Sequence, residues 1–566
     1  MTASTGSCAG RPAGAQSAGT VDAALPGDAG ERTRDCLAII AVAVALLAAL
    51  RPLQNTPFID DWVYAHSVEV LLTQGRLSIS DWSAHLNVVQ VLWGALFCVP
   101  FGFSFTALRL STWVLAVSAL VGLYLVLRDA GVSRRPALLG TATLGFNPVF
   151  FVLGHTFMTD VPFLAATIWF MLAAARAVRQ QDRRYLWTAA VLASLGVGVR
   201  TVGIAMPGAL LATVLLCCGP WGRRPGDLAA PVTSIALGLM LVWVGLRSLD
   251  HVVDLSDIAN APANRVAYVL RYAIPWLPQM LVFGSTFVIV SVGTALLPLA
   301  VAAVEPPRAP ATAALWAGLL TLVVVTSRFN PPYSPPLASG TTWALAELGA
   351  TEPLIPHAAP AAQAPWVGWA VTVAATASFA VVLLAALRRR GRSAAEASFL
   401  WLALGHWTLI VLLWLFYDRY TLVFVPVAIA VLLGRCTQLR LLVAVPAVAL
   451  FAALCCVGMH DHLALNGALW GAVGTLQARG VPAEQIDGGY VVNGWLQFAH
   501  PEHAPRDAQG RIVVPHMTVA DWPLPYVISL RPLPGFRVLD SLPFLRYLAP
   551  AGLIYVLQRA DSDASN

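Results

Sequence analysis

Long apolar runs, separated by short polar or arginine-containing segments, extend from residue 37 to residue 459. Such runs are typical of transmembrane helices, because about 20 residues at about 1.5 Å each cross a hydrocarbon core of about 30 Å. The pattern therefore predicts a polytopic α-helical membrane protein with about thirteen spans. The predicted spans are 37–53, 105–127, 136–154, 160–178, 186–199, 203–218, 229–247, 279–303, 310–326, 366–387, 398–416, 420–434 and 440–459.

The first outer loop, residues 54–104, mixes charged and apolar positions over its length. This mixture predicts amphipathic helices that lie at the membrane interface rather than a further span. Residues 1–35 are rich in Ala, Gly, Ser and Thr without apolar periodicity, which predicts a disordered cytoplasmic tail. We therefore expect the transmembrane domain to occupy residues 36–459.

Residues 460–566 are polar enough to form a small soluble α/β domain. A helix is predicted over Leu463–Arg479, because Gly480 and Pro482 end it. Another segment, residues 327–365, is dense in Pro, Ala and Ser and is predicted to be an irregular outer loop. Short strands are predicted in the C-terminal domain at 489–493, 511–514, 525–530, 536–540 and 553–558.

Composition supports the membrane prediction, since 58% of the 566 residues are hydrophobic and 11% are charged. Soluble domains carry about 25% charged residues, and the mean hydropathy of this chain is +0.71. The net charge of +6 does not indicate nucleic-acid binding, because the arginines are spread over loops between apolar runs. The eight cysteines show no C-x-x-C spacing, so neither a disulfide framework nor a zinc site is predicted.

The placement of arginines predicts the orientation in the membrane. If the N-terminus is cytoplasmic, alternate loops on that side collect most of the basic residues, as the positive-inside rule requires. An odd number of spans then puts the C-terminal domain on the outer face. The arginines on the predicted cytoplasmic side are Arg128, Arg134, Arg135, Arg176, Arg179, Arg183, Arg184, Arg223, Arg224, Arg308, Arg388, Arg389, Arg390, Arg392, Arg435 and Arg440.

The same topology brings several polar residues to the outer ends of the spans, although they are hundreds of residues apart in sequence. This convergence at one face predicts a functional site there. The residues are Asp60 and Asp61 after the first span, His155 and Asp160 between the third and fourth spans, Arg200 between the fifth and sixth, and Asp418 and Arg419 before the twelfth.

Each of these residues also has a purely structural interpretation. A charged residue at a span end often anchors the helix at the interface, and Asp61 is placed where it could cap the next helix. His155 taken alone is typical of a packed, hydrogen-bonded histidine, and Trp62 and Trp82 are typical of an interfacial aromatic belt. Two adjacent carboxylates near lipid are costly unless something uses or neutralises them, so the pair formed by Asp60 and Asp61 favours an active site.

Four short segments, in this order, resemble the GT-C glycosyltransferases of family 39, which are relatives of the protein O-mannosyltransferases and the lipid A aminoarabinose transferases. The resemblance covers most of residues 50–435, and its most specific part is the acidic segment. The family usually has Asp-Glu where this chain has Asp60 and Asp61, so both charges are kept but the second side chain is shorter. The four segments are Phe58–Tyr64, Met158–Pro162, Val199–Gly203 and Tyr417–Tyr420.

The resemblance implies a GT-C-type helical bundle that transfers a sugar from a polyprenyl phosphate to an acceptor hydroxyl at the outer face. It implies that one carboxylate of the acidic pair, with Asp60 favoured over Asp61, is the general base and that the anomeric carbon is inverted. Arg419 and Arg200 would stabilise the leaving phosphate, and His155 would contact phosphate or sugar. The C-terminal segment 485–495 is similar to soluble tails on some bacterial members.

The other candidate residues are expected to position the substrates or to orient the arginines. They are Asp61, Asp160, Tyr64, Tyr417, Asp418 and Tyr420. No cofactor is predicted beyond the lipid-linked donor. A divalent metal is an alternative, because Asp60, Asp61, His155 and Asp160 are hard or borderline ligands. It is not favoured, because an arginine beside the leaving phosphate makes a cation less necessary.

Two other classes of protein remain as alternatives, a polytopic transporter and a non-catalytic envelope assembly protein. Transporters place charged residues near mid-membrane on broken helices and often show internal repeats, whereas here the charges sit at one face. The expected partners are the lipid-linked donor, the bilayer and an acceptor that is a lipid, a glycan or a protein. The resemblance and the arginine-only basic composition predict a bacterial inner membrane.

Overall fold

The computed structural model of the chain shows a helical bundle with a small C-terminal sheet. The predicted loop at 327–365 lies outside the described residues except at its ends, which are helical, and the predicted strand at 511–514 lies outside them entirely. The described residues are 26–560 apart from 81, 84, 218–223, 250–268, 304–308, 329–364, 388–393, 414–416, 436–437, 505–523 and 548–550.

The helices up to the middle of the chain are α1 Pro26–Leu50, α2 Asp61–Gln74, α3 Val88–Cys98, α4 Phe105–Asp129, α5 Arg134–Gly145, α6 Pro148–Leu153, α7 Asp160–Gln180, α8 Arg183–Val199, α9 Ala205–Cys217 and α10 Pro225–Arg247. A short 3₁₀ turn, Thr201–Ile204, separates α8 from α9. The two helices α2 and α3 lie in the segment for which interfacial helices were predicted.

The later helices are α11 Leu277–Ala300, α12 Ala309–Arg328, α13 Pro365–Leu387, α14 Ala394–Leu412, α15 Asp418–Thr421, α16 Phe424–Arg435, α17 Leu441–Ala478 and α18 Tyr490–Asn493. The strands are β1 Ile486–Asp487, β2 Tyr526–Ser529, β3 Phe536–Phe544 and β4 Gly552–Arg559.

Eight helices among the described residues are long and apolar enough to cross a membrane, which confirms a polytopic membrane protein. They fall in α1, α4, α7, α10, α11, α13, α14 and α17. The other five predicted spans are helical, but they are shorter, interrupted or less continuously apolar. The predicted count of thirteen is therefore not confirmed.

The predicted span 136–154 is broken into α5 and α6. Asn147 accepts a hydrogen bond from the backbone N–H of Phe150 at 3.0 Å and so caps α6. Pro148 occupies the first helical position, where its missing N–H costs nothing. A cap followed by proline starts a new helix, and this signal outweighed the continuous apolar pattern.

The C-terminal helix departs from prediction in a different way. The last predicted span and the predicted helix at 463–479 are one continuous helix, α17, of 38 residues. The polar residues that begin near Asp461 therefore mark the point where the apolar half of α17 ends, and the helix continues through it without interruption. The helix ends as predicted, with Gly480 at a φ of +79°.

A four-stranded sheet in the order β1-β2-β4-β3 packs on the C-terminal half of α17. β1 pairs parallel with β2, and the other pairs are antiparallel. Leu469, Val473 and Leu476 of the helix contact Ile528 and Val556 of the sheet in one apolar cluster. This confirms the predicted strands at 525–530, 536–540 and 553–558, whereas the predicted strand at 489–493 is wrong, because those residues form α18.

The N-terminal boundary also differs from prediction, since α1 begins at Pro26 and includes ten residues of the predicted disordered tail. Residues 1–25 lie outside the described part. Asp35 of α1 is buried, and its carboxylate accepts hydrogen bonds from Arg134 at 2.7 Å and Tyr124 at 2.6 Å. These bonds hold the start of α1 against α4 and α5.

Several arginines of the predicted cytoplasmic side meet at one end of the bundle. Asp129, at the end of α4, contacts Arg32, Arg176 and Arg179 at 2.7, 2.7 and 3.5 Å. Arg176 is sixteen residues from Asp160 along α7, which corresponds to about 24 Å. The arginine cluster and the acidic candidates therefore lie at opposite ends of the same helices.

Candidate active site

Two elements from distant parts of the chain bring Asp60 and Arg419 together. Asp60 precedes α2, and Arg419 lies in the short helix α15. Both guanidinium nitrogens, Nη1 and Nη2, contact Oδ2 of Asp60, at 3.1 and 3.2 Å. The Asp60 side chain is 23% exposed and that of Arg419 is 10% exposed. This contact joins a partly exposed carboxylate to a guanidinium that is largely buried.

The neighbouring carboxylate has a different environment. Asp61 is fully buried, and its Oδ1 accepts hydrogen bonds from the backbone N–H groups of Phe58 and Ile59 at 2.9 and 3.3 Å. Oδ2 accepts from the N–H of Phe157 at 3.5 Å. Burial raises the pKa of Asp61, against the opposing effect of the nearby Arg109 guanidinium and these N–H groups. Asp61 therefore shapes the loop, and Asp60 is the accessible member of the pair.

Arg109, which the sequence analysis did not single out, fixes the loop that carries the pair. Its guanidinium lies 3.4 Å from the ring centroid of Phe58 and donates to the carbonyls of Gln54 and Thr56. From the other side, Trp470 of α17 donates to the carbonyl of Pro57 at 3.1 Å. A charged residue inside the apolar span α4 was the available sequence signal, since such residues are costly unless they have a partner.

Behind this contact lies a buried polar network that connects α7, the α8–α9 turn, α15 and the segment between α2 and α3. Arg200 and Asp160, 2% and 3% exposed, form an ion pair. Arg200 also contacts Nε2 of His85 at 2.8 Å, and the Tyr420 hydroxyl lies 3.3 Å from the same nitrogen. His85 was missed in the sequence because a lone histidine carries no recognisable motif.

Tyr420 lies between the two arginines. The guanidinium carbon of Arg200 is 4.2 Å from the centroid of its ring, and that of Arg419 is 5.8 Å away. A cation over an aromatic face is attracted by the ring quadrupole. Arg200 is thus placed as a support for the site, and no direct access to its guanidinium from solvent is seen among the described residues.

Asp418 precedes Arg419 and is itself buried. Its Oδ1 accepts a hydrogen bond from the backbone N–H of Arg419 at 2.7 Å, while Oδ2 has no hydrogen-bond partner among the described residues. Burial raises the pKa of Asp418 to about 7. The folded protein is therefore less stable when Asp418 is ionised than when it is protonated.

Asp418→Asn is expected to stabilise the protein increasingly as the pH rises from about 4 to about 7. Over that range the unfolded carboxyl is ionised and the folded one binds the proton, so the stability of the wild type falls with rising pH. Asn keeps the carbonyl that accepts from Arg419 and does not titrate. Thermal unfolding of both proteins at about pH 5 and about pH 8 measures the difference.

The control for this experiment is Asp540→Asn, at a side chain that is 44% exposed. It is expected to leave the pH dependence of unfolding unchanged. An equal stability difference between wild type and Asp418→Asn at both pH values would contradict the prediction.

His155 is buried, and among the described residues it forms no hydrogen bond or ion pair with Asp60 or Arg419. Its Nδ1 lies 2.7 Å from the carbonyl oxygen of Phe151, and burial lowers its pKa to about 4. The ring lines one part of an apolar cavity of about 360 Å³ formed by α1, α4, α5 and α6. None of Asp60, Asp160, Arg200 and Arg419 lines that cavity.

Three tyrosines predicted to position substrate lie around Arg419. Tyr64 is 4% exposed, and burial raises its pKa. Tyr417 is 44% exposed, and the Arg419 guanidinium carbon lies 5.1 Å from its ring centroid. A fourth tyrosine, Tyr490 of the C-terminal domain, is close enough to Asp60 and Arg419 for their charges to influence it. The C-terminal domain thus contributes a side chain to the site.

The turn that delivers Tyr490 is built by Asp487 and Asn493. Asn493 donates to Asp487 at 2.9 Å and accepts from the N–H of Gly488 at 3.0 Å. Gly489 has a φ of +83°, which an L side chain adopts only with strain. The turn therefore explains why Asp487, Gly489 and Asn493 occur in the segment that resembles the tails of bacterial family members.

Gly494 lets the C-terminal domain dock directly on α2. A Cβ built on Gly494 would lie 2.2 Å from the fully buried Trp62 ring. Gly494→Ala is expected to reduce the free energy of unfolding by about 1–3 kcal/mol, because overpacking forces side chains or backbone to shift. Thermal unfolding of the purified protein measures the loss.

Gly474→Ala is the matched control, since a Cβ at that helical position meets nothing within 4 Å. Alanine is favoured over glycine in a helix by about 0.5–1 kcal/mol, so this variant should be as stable as the wild type or more so. Equal effects of the two substitutions would show that Gly494 is not in close contact with Trp62.

The four residues considered as metal ligands, Asp60, Asp61, His155 and Asp160, do not converge within ligand distance among the described residues. Asp61 is occupied by backbone N–H groups, and Asp160 pairs with Arg200. The expectation that transfer needs no metal stays a prediction.

Residues 89–245 match the family model described as dolichyl-phosphate-mannose-protein mannosyltransferase. The match confirms, for this part of the chain, the resemblance that the four motifs predicted. It includes His155, Asp160 and Arg200, whereas Asp60 and Arg419 lie on either side of it.

The crystal structure of ArnT from Cupriavidus metallidurans bound to undecaprenyl phosphate aligns with 92% of this chain and 97% of its own, at 14% identity and a TM-score of 0.40. For apo ArnT the shares are the same, at 13% identity and a TM-score of 0.36. The apo Archaeoglobus fulgidus oligosaccharyltransferase aligns with 69% of this chain and 56% of its own, at 11% identity and a TM-score of 0.28. No curated protein matches the chain.

Proposed function

We propose that this polytopic membrane protein, which resembles the dolichyl-phosphate-mannose-protein mannosyltransferases over residues 89–245, is a glycosyltransferase. It moves a sugar from a polyprenyl phosphate to an acceptor hydroxyl at the outer face of the membrane. The observation that carries this proposal is the contact between the partly exposed carboxylate of Asp60 and the guanidinium of Arg419. A base and an anion-binding group are the two functions that this transfer requires.

Asp60 is the general base of the proposed reaction. Its carboxylate takes the proton of the acceptor hydroxyl while the acceptor oxygen forms a bond to the anomeric carbon. The bond between that carbon and the phosphate oxygen breaks, and its electron pair leaves with the polyprenyl phosphate. Attack from the face opposite the leaving group inverts the anomeric carbon. Asp61 cannot replace Asp60 without giving up its bonds to the backbone of Phe58 and Ile59.

Arg419 stabilises the leaving phosphate. Its guanidinium presents a planar fork that matches two phosphate oxygens. The phosphate becomes more negative as its bond to the sugar breaks, so the guanidinium binds it more strongly at that stage. In the absence of donor the fork rests on Asp60. Exchange of this carboxylate for phosphate would release Asp60 for proton transfer at the moment when the donor is in place.

A second set of residues supports the reacting groups without touching the substrate. These residues are Asp160, Arg200, His85 and Tyr420. Their network fixes the Tyr420 ring against which Arg419 lies. The proposal therefore gives Arg200 a positioning role through Tyr420 in place of direct phosphate binding. Tyr64, Tyr417 and Asp418 surround the same guanidinium.

The apolar cavity between α1, α4, α5 and α6 suits part of a prenyl chain. Its lining is almost wholly apolar, with Ile39, Leu46, Trp113 and Phe150 among the contributors. A prenyl chain has no hydrogen-bonding groups, so an apolar surface suffices to hold it. Thr141 and His155 also line this cavity.

The experiment that tests the function is transfer by the purified protein from radiolabelled polyprenyl-phosphate sugars, with a crude membrane extract as acceptor. Appearance of label in a new product, dependent on the protein, is the expected result, and the product identifies the acceptor. Label that crosses a vesicle membrane unchanged would establish a transporter. Well-folded protein that transfers from none of the donors would overturn the proposal.

A further inference from the structure

A second cluster of polar side chains lies where the C-terminal domain meets α2. His66 and Glu69 are three residues apart and therefore share one face of that helix. His500 approaches them from the segment that follows α18. The Glu69 carboxylate oxygen Oε2 is 3.6 Å from Nδ1 of His66 and 3.6 Å from Nε2 of His500. These three ligand atoms all lie within 4.8 Å of one another.

The spacing of these atoms is longer than a hydrogen bond but fits ligands around a shared centre. Tetrahedral zinc with bonds of about 2.0–2.1 Å to nitrogen and oxygen places neighbouring ligand atoms about 3.4 Å apart. Nδ1 of His66 is shielded from solvent and has no hydrogen-bond partner among the described residues. A buried nitrogen of this kind requires a partner, and a cation at the shared centre would supply one.

We propose that His66, Glu69 and His500 bind a zinc-class divalent cation that ties the C-terminal domain to α2. Two imidazoles and one carboxylate are typical zinc ligands, whereas magnesium and calcium prefer oxygen. Glu502 lies on the opposite side of the His500 ring, with Oε1 3.8 Å from Nδ1. At 3.8 Å this carboxylate is an electrostatic neighbour of the ring and not a hydrogen-bond partner.

The site is separate from the proposed chemistry. His66 follows Asp60 by six residues, about 9 Å along a helix. A cation there does not touch the reacting groups but holds α2, which begins at the acidic pair, against the domain that supplies Tyr490. The cysteine pattern predicted no zinc site, and this one uses no cysteine. It was not visible in the sequence because His500 is more than four hundred residues from the other two ligands.

The test uses full-length protein purified through a tag without histidine, and it needs no activity assay. Elemental analysis is expected to find about one zinc per chain. Removal by a chelator should lower Tm, and added zinc should restore it, as expected for a ligand that binds only the folded state. Magnesium and calcium at the same concentration should not restore Tm.

Two variants and one control locate the metal. Glu69→Gln and His500→Ala should lose the bound zinc and the zinc-dependent rise in Tm. His460→Ala, at a histidine 41% exposed elsewhere on the protein, should keep both. A wild type that holds no zinc and gains no stability from it would overturn the proposal whether or not the variants fold. Zinc retained in both variants would do the same.

Discussion

Asp60→Asn is expected to reduce sugar transfer by about 10²–10⁴-fold, the range that a general base contributes. The amide has nearly the shape of the carboxylate but cannot take the proton of the acceptor hydroxyl. Because the Asp60 side chain is partly exposed, the substitution should leave expression and folding intact. The measurement is initial rate of transfer at saturating donor, compared with the wild type.

Two further substitutions separate catalysis from structure. Asp540→Asn changes an exposed carboxylate of the C-terminal sheet and should leave the rate unchanged. Asp61→Asn keeps an oxygen that can accept from Phe58 and Ile59 but loses the acceptor for the N–H of Phe157, so it should lower Tm more than the rate. If Asp60→Asn retained most of the activity while Asp61→Asn lost it, the roles of the two carboxylates would be reversed.

Arg200→Gln is expected to reduce the free energy of unfolding by about 3–5 kcal/mol. The substitution leaves the Asp160 carboxylate buried without its cation, and an uncompensated charge in the interior is strongly destabilising. Both side chains are nearly inaccessible, so water cannot take the place of the guanidinium. Thermal unfolding, with size-exclusion chromatography used to detect the folded fraction, measures the loss of stability.

The double variant Asp160→Asn/Arg200→Gln should recover part of that stability, because it removes both charges. The surface pair Arg479 and Asp540, 3.7 Å apart with both side chains about half exposed, is the contrasting case. Arg479→Gln should cost less than about 1 kcal/mol, since water screens the pair. Equal costs for Arg200→Gln and Arg479→Gln would show that Asp160 does not depend on its partner.

The acidic segment was the most informative part of the sequence. Asp60 and Asp61 stood out because adjacent carboxylates beside a span are costly, and this argument depended only on local sequence. The sequence could not separate their roles. That separation depends on Arg419 contacting one carboxylate and the backbone of Phe58 and Ile59 contacting the other.

The positions of Arg200 and His155 show what the local argument left open. Both are polar residues at predicted span ends, and the family resemblance implied phosphate as the partner of Arg200 and phosphate or sugar as the partner of His155. In the fold Arg200 pairs with Asp160 and His85, and His155 faces an apolar cavity. The end of a span gives the depth of a residue in the membrane but not its direction around the helix axis, which helix packing decides.

By itself, the sequence determined the membrane class, most of the helical segments, the strands at 525–530, 536–540 and 553–558, and the end of the bundle at which the acidic candidates lie. These follow from apolar runs, arginine positions and chain breakers, each of which acts over a few residues. Only the tertiary structure decided that Arg109, His85, Tyr490 and His500 complete the surroundings of α2. Such contacts join residues far apart in the chain, and no local pattern specifies which distant side chains meet.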